Sequence, residues 1–141
     1  MCLICSSRDT VLRDAAAGSW SVPASASVLG SLPSAGLSED GDAAGSTATA
    51  ASMDLGTVFD GTIGTAGDRD WIEVTLEAGE PYVFLAWGAG GQRAGLGDTT
   101  LALRDDTGAE LARNDDMSRD NAFSALNLTP DASGTYYVDV G

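Results

Sequence analysis

The feature that most restricts the fold of this chain is a succession of short apolar runs, separated by turn residues, that starts near Asp54. The runs recur roughly every eight to twelve positions, which is the spacing typical of strands in a β-sandwich. We predict strands at residues 57–63, 71–76, 81–87, 99–104, 110–113, 123–128 and 135–140. The sequence therefore predicts an all-β protein.

Two of these runs carry patterns that indicate how the strands are buried. Ile72, Val74 and Leu76 alternate with polar residues, so we expect a strand with one buried and one solvent-facing side. Residues 82–87 are apolar on both faces, which predicts a central, covered strand. The sequence Asp-Asp-Thr-Gly at 105–108 is typical of a tight hairpin.

The first 53 residues have a different composition from the rest of the chain. Residues 15–52 are dominated by Ala, Ser, Gly and Thr, and Trp20 is the only aromatic residue before residue 54. This composition favours a flexible leader, with a short helix at residues 8–17 as the alternative. We therefore divide the chain into a largely disordered leader, residues 1–53, and a β-sandwich domain, residues 54–141.

The charge of the chain limits its partners. It has 21 acidic residues, seven arginines, no lysine and no histidine, for a formal charge of −14. Such a surface repels nucleic acid and anionic membranes and attracts divalent cations. The acidic residues are mostly Asp, a poor strand and helix former but a good oxygen ligand in loops. A role of this charge in solubility alone is the alternative.

The residue inventory also excludes several kinds of catalysis. Without histidine there is no Ser-His-Asp triad and no His-Glu-x-x-His zinc helix. Cys2 and Cys5 form a Cys-x-x-Cys with neither a βαβ setting nor a second cysteine pair, so we interpret them as incidental thiols, with a functional dithiol as the alternative. Asp115 and Asp116 are adjacent and point to opposite faces of an extended chain, which disfavours a glycosidase pair. We expect the chain not to be an enzyme.

Targeting signals are equally sparse in the sequence. No stretch approaches the roughly twenty apolar residues of a membrane span. The N-terminus has no evident signal peptide, because charged residues interrupt the chain soon after Ile4.

Four phrases of the second part resemble the bacterial pre-peptidase C-terminal domain, and the resemblance covers roughly residues 54–141. The phrases are GDRDWIEVTLEAG at 67–79, LALRD at 101–105, LARNDD at 111–116 and ASGTYYV at 132–138. The Met-Cys-x-x-Cys start is similar to the N-termini of serralysin-like secreted metalloproteases. Members of the family usually continue with a further closing strand, so we expect the sequence to be cut before its last strand.

The resemblance implies a jelly-roll-like antiparallel β-sandwich that is secreted and extracellular. It also implies a non-catalytic accessory module of a bacterial hydrolase, most often a zinc metalloprotease, whose catalytic domain would be its partner. Some relatives bind Ca²⁺ at one end of the sandwich, and a related module binds collagen. An adhesion or substrate-binding module for extracellular protein or polysaccharide, and a purely structural spacer, remain as alternatives.

The family-like arrangement also suggests a calcium site. Asp70 opens one strand and Asn114 closes another, so the carboxylate and amide oxygens of the two loops can meet at one edge and ligate Ca²⁺. The candidate ligands are Asp68, Asp70, Asp98, Asn114, Asp115 and Asp116. The alternative is that Asp68 and Asp70 cap a turn and that residues 114–116 form a solvated loop.

Aromatic residues are the second candidate for binding. Trp71, Trp87, Tyr136 and Tyr137 lie in predicted strands, where packing in the core is the default. Tyr137 is the best candidate for exposure, because it alternates with Tyr136 and Val138.

Overall fold

The structure is a computed structural model that describes residues 2–7, 37–38, 41–88, 98–119 and 122–141, the first of these by its backbone alone. These residues form nine strands and no helix. The strands are β1 (Cys2–Ser7), β2 (Leu37–Ser38), β3 (Val58–Asp60), β4 (Asp70–Leu76), β5 (Tyr82–Trp87), β6 (Leu101–Arg104), β7 (Glu110–Asn114), β8 (Ser124–Leu128) and β9 (Gly134–Val140).

The strands form two sheets. One sheet has the order β2-β3-β1-β5-β8 and the other the order β4-β9-β6-β7. All pairs are antiparallel except the short parallel pair of β2 with β3. The all-β, largely antiparallel fold predicted from the sequence is therefore confirmed, whereas the jelly-roll connectivity stays a prediction.

The hydrophobic core lies between the two sheets. Ile72, Val74 and Leu76 of β4 are at most 1% exposed, as their alternation with polar residues predicted. They pack with Phe84 of β5 and Val138 of β9, so both sheets contribute to one cluster. Burial of this apolar surface is the main force that holds the sheets face to face.

All seven predicted strands are present, with ends shifted by a few residues. β5 lies between β1 and β8, in agreement with the prediction of a central strand. The predicted hairpin connects β6 to β7, and Gly108 has a φ of +86° there, a conformation that glycine adopts without a Cβ penalty. The largest difference is β3, which is confined to three residues, Val58–Asp60.

The two additional strands lie in the predicted leader. β1 pairs with both β3 and β5, so Cys2–Ser7 forms an interior strand of the five-stranded sheet where the sequence analysis predicted a flexible segment. Its apolar run is too short to distinguish from an isolated cluster without knowledge of its neighbours. The prediction for residues 8–36 and 39–40, including the alternative helix, falls outside the described residues.

Residues 41–53 also belong to the folded unit. Met53 donates its backbone N–H to the carbonyl of Glu73 at 3.0 Å, and the Glu73 N–H donates to the carbonyl of Ala51 at 2.9 Å. Met53 is 5% exposed and joins the core. This segment therefore follows the free edge of β4, although the sequence analysis placed it before the domain.

Candidate cation site

Three carboxylates meet near the start of β4. Asp42, Asp68 and Asp70 each offer one oxygen, and these oxygens all lie within 4.8 Å of one another. Asp70 is fully buried, Asp68 is half-buried and Asp42 is exposed. Among the described residues this is the one such group of acidic side chains, and we refer to these three residues as the acidic corner.

Asp70 is positioned by the strand itself. It is the first residue of β4 and pairs with Val140 of β9, so it shares the inward face with Ile72. Its carboxylate is 0% exposed. Transfer of a carboxylate from water to such a position is costly unless another group compensates its charge.

Asp68 is positioned by the loop between β3 and β4. Its Oδ1 accepts the N–H of Arg69 at 3.0 Å, and its Oδ2 accepts the N–H of Gly64 at 3.0 Å. The turn-capping alternative for Asp68 is thus correct in its geometry. A carboxylate oxygen has two lone pairs, so these bonds still leave acceptor capacity towards Asp42 and Asp70.

Asp42 is the member that the sequence analysis missed, because it lies within the predicted leader. Close packing of the following residues holds it beside the loop. A Cβ added to Gly45 would lie 2.7 Å from the carbonyl oxygen of Arg69, so only glycine permits this approach. Nothing in the sequence around Asp42 marks it as a ligand, since the contact depends on how residues 41–53 follow β4.

Gly64 forms the wall of the acidic corner. An ideal Cβ at this glycine would lie 3.4 Å from Oδ2 of Asp68 and 3.5 Å from Oδ1 of Asp42. A side chain at this position would therefore be in contact with two of the three carboxylates.

A buried ion pair anchors the backbone of Asp68 and Asp70 from the other face of the sheet. Asp139 is 1% exposed and accepts from Nε of Arg69 at 2.6 Å and from Nε of Arg104 at 2.7 Å. Arg104 also lies over the Trp71 ring, with its guanidinium carbon 4.7 Å from the ring centroid. Because Arg69 stands between Asp68 and Asp70, its side chain fixes the chain from which both carboxylates project.

The other predicted ligands lie elsewhere. Asp70, Val140, Leu101 and Asn114 form one row across the four-stranded sheet. Asp70 and Asn114 are therefore at the same end of the sheet but on opposite edges, three strand spacings or about 14 Å apart. One Ca²⁺ needs its oxygens at about 2.3 to 2.6 Å, so the predicted meeting of these two loops does not occur.

At the Asn114 edge, the side-chain oxygens of Asn114 and Asp115 accept hydrogen bonds from other groups of the protein. The side-chain oxygen of Asn114 accepts the N–H of Ala125 at 3.0 Å, and Oδ1 of Asp115 accepts from the Thr100 hydroxyl at 3.0 Å. Asp98 and Asp116 are exposed and join no cluster of acidic residues among the described ones.

Two buried hydroxyl groups, those of Thr99 and Ser124, also lie at the Asn114 edge. Thr99 is 1% exposed and Ser124 is 0% exposed. The Ser124 N–H donates to the Thr99 hydroxyl at 3.0 Å, and the Ser124 hydroxyl contacts the carbonyls of Thr99 and Asp115. We call Thr99, Asn114, Asp115 and Ser124 the hydroxyl corner; it ties the end of β7 to β8 and to the chain before β6.

The aromatic residues do not form an exposed platform. Tyr137, the best candidate for exposure, is 7% exposed, in agreement with core packing as the default for these aromatic residues. Its ring lies 5.8 Å from the Trp71 ring, and its hydroxyl is 3.5 Å from the carbonyl of Thr47. Residues 41–53 cover this face of the sheet, which the strand alternation alone does not reveal.

In the hairpin between β6 and β7, neighbouring groups donate hydrogen bonds to the carboxylate of Asp105. Oδ1 of Asp105 accepts from the Thr107 hydroxyl at 2.6 Å and from the N–H groups of Thr107 and Ala109 at 2.9 Å. The Thr107 hydroxyl first, and the Ala109 N–H second, lower the pKa of Asp105 below its ordinary value. This carboxylate stabilises a turn.

Comparison with protein-family models, with curated proteins and with solved structures gave no match for the chain. The resemblance to the pre-peptidase C-terminal domain therefore stays a hypothesis from the sequence. A search of the described residues for helices that could span a membrane found none.

The chemistry of the acidic corner suits a hard cation. Its donors are carboxylate oxygens from two separate segments, one of them fully buried. Such a set of oxygen donors could hold a metal ion.

Proposed function

We propose that the chain is a non-catalytic, Ca²⁺-binding β-sandwich module, with the cation held by Asp42, Asp68 and Asp70. The single observation that carries this proposal is the approach of the three carboxylate oxygens to within 4.8 Å of one another. Negative charges at this separation repel one another, whereas a divalent cation bound among them attracts each carboxylate.

The proposed role of the cation is to attach residues 41–53 to the sandwich. Asp42 belongs to this segment, whereas Asp68 and Asp70 belong to the loop and strand against which the segment lies. A cation shared among them links chain that is distant in sequence, so its binding free energy becomes folding free energy. The module would accordingly be most stable in a calcium-rich medium.

The proposed context is a secreted bacterial hydrolase, with a zinc metalloprotease as the first candidate and its catalytic domain as the partner. The support for this context is the resemblance of residues 54–141 to the pre-peptidase C-terminal domain. The charge of −14 agrees with it, because a strongly acidic surface favours cations and disfavours nucleic acid and anionic membranes. An aromatic binding platform has less support, since Tyr137 is buried.

Thermal unfolding of the full chain tests the calcium site. We expect millimolar Ca²⁺ to raise the melting temperature relative to a sample in chelator, whereas Mg²⁺ raises it less. At a Ca²⁺ concentration 100 times the Kd the gain in stability is about 2.7 kcal/mol, roughly 10 °C or more for a domain of this size. Asp70→Asn should remove the gain.

A charge-conserving variant provides the matched control. Gly64→Ala keeps all three carboxylates and adds a methyl group at ordinary contact distance from two of them. We expect its melting temperature in chelator to stay near that of the wild type and its response to Ca²⁺ to decrease. Identical melting curves of the wild-type chain in Ca²⁺ and in chelator would refute the site.

A further inference from the structure

We draw no further inference here: the strongest candidate, the apolar outer face of the five-stranded sheet at Val83, Leu85 and Trp87 of β5, carries none because nothing in the described part of the chain shows what covers it.

Discussion

The acidic corner and the hydroxyl corner occupy the same end of the four-stranded sheet and satisfy their polar groups in opposite ways. At the hydroxyl corner Thr99 and Ser124 bond to each other, and the side-chain oxygen of Asn114 accepts the N–H of Ala125. At the acidic corner three carboxylates approach one another. At the hydroxyl corner neutral hydroxyl and amide groups are satisfied within the protein, whereas the acidic corner brings three carboxylates together, an arrangement that suits a cation.

This difference separates two kinds of polar residue that look alike in a sequence. Asn114 and Asp70 both stand at a strand end, and both lie in the same row of the sheet. The amide of Asn114 serves as an acceptor for β8, so it stabilises the packing of one sheet on the other. Position at a strand end therefore does not by itself distinguish a ligand from a structural link.

The largest effect expected at the hydroxyl corner comes from Ser124→Ala. The change removes the acceptor of the Thr99 hydroxyl and the donor to the carbonyls of Thr99 and Asp115, so we expect a loss of about 2 kcal/mol in the free energy of unfolding. The loss should be the same in Ca²⁺ and in chelator, as measured by urea denaturation.

Ser133→Ala is the matched control for this change, because it removes an exposed hydroxyl that accepts from the Ala78 N–H. We expect it to alter stability by less than about 0.5 kcal/mol. A Ca²⁺-dependent effect of Ser124→Ala would show that the two corners are not independent.

A smaller effect, on Ca²⁺ affinity, should distinguish the two arginines that form ion pairs with Asp139. Arg69→Met removes the anchor of the backbone between Asp68 and Asp70, so we expect Ca²⁺ affinity to fall about tenfold, as is usual when an outer-shell partner is lost. Arg104→Met breaks the other half of the same ion pair and its contact with Trp71, but Arg104 lies on β6, which β9 separates from β4.

Calorimetric titration with Ca²⁺ measures both variants. Arg104→Met should lower the melting temperature in chelator by at least as much as Arg69→Met and leave the Kd unchanged. Equal losses of affinity in the two variants would mean that Arg69 acts only through general stability.

The smallest effect concerns Asp105, a carboxylate that needs no cation because the hairpin supplies its donors. Its pKa is lowered by folding, so its stabilising contribution is present above the ordinary aspartate value of about 3.9. It is lost as the pH falls through the lower value of the folded state. We expect Asp105→Asn to be less stable than the wild type at neutral pH and the difference to disappear in acid.

The same measurement sharpens the contrast with the acidic corner. The difference between Asp105→Asn and the wild type should not depend on Ca²⁺, which denaturation curves at pH 7 with and without chelator will establish. A calcium-dependent difference would place a second cation at the hairpin.

Much of the fold was predictable because local patterns determine it. The alternation of Ile72, Val74 and Leu76 determines which face of β4 is buried, and the Asp-Asp-Thr-Gly turn determines the hairpin. β1 was not predictable in this way, because its six residues form a strand through pairing with β3 and β5, which are distant in sequence. Pairing between distant segments leaves little trace in a single sequence.

The candidate site was predictable only in part. Asp68 and Asp70 carry the signal of neighbouring carboxylates at a strand start, and the structure brings them together. Asp42 had no such signal, and the expected contribution of residues 114–116 required two edges of one sheet to meet. The strand order β4-β9-β6-β7 places two strands between them, which spacing along the chain does not encode.

The central claim, that the cation site is the acidic corner and not the Asn114 edge, is tested most directly by calorimetric titration of two variants. Asp42→Asn and Asp115→Asn each remove one negative charge from an exposed aspartate, so the two variants have the same net charge. We predict that Asp115→Asn binds Ca²⁺ as the wild type does and that Asp42→Asn does not. Retention of binding in Asp42→Asn with loss in Asp115→Asn would contradict the account.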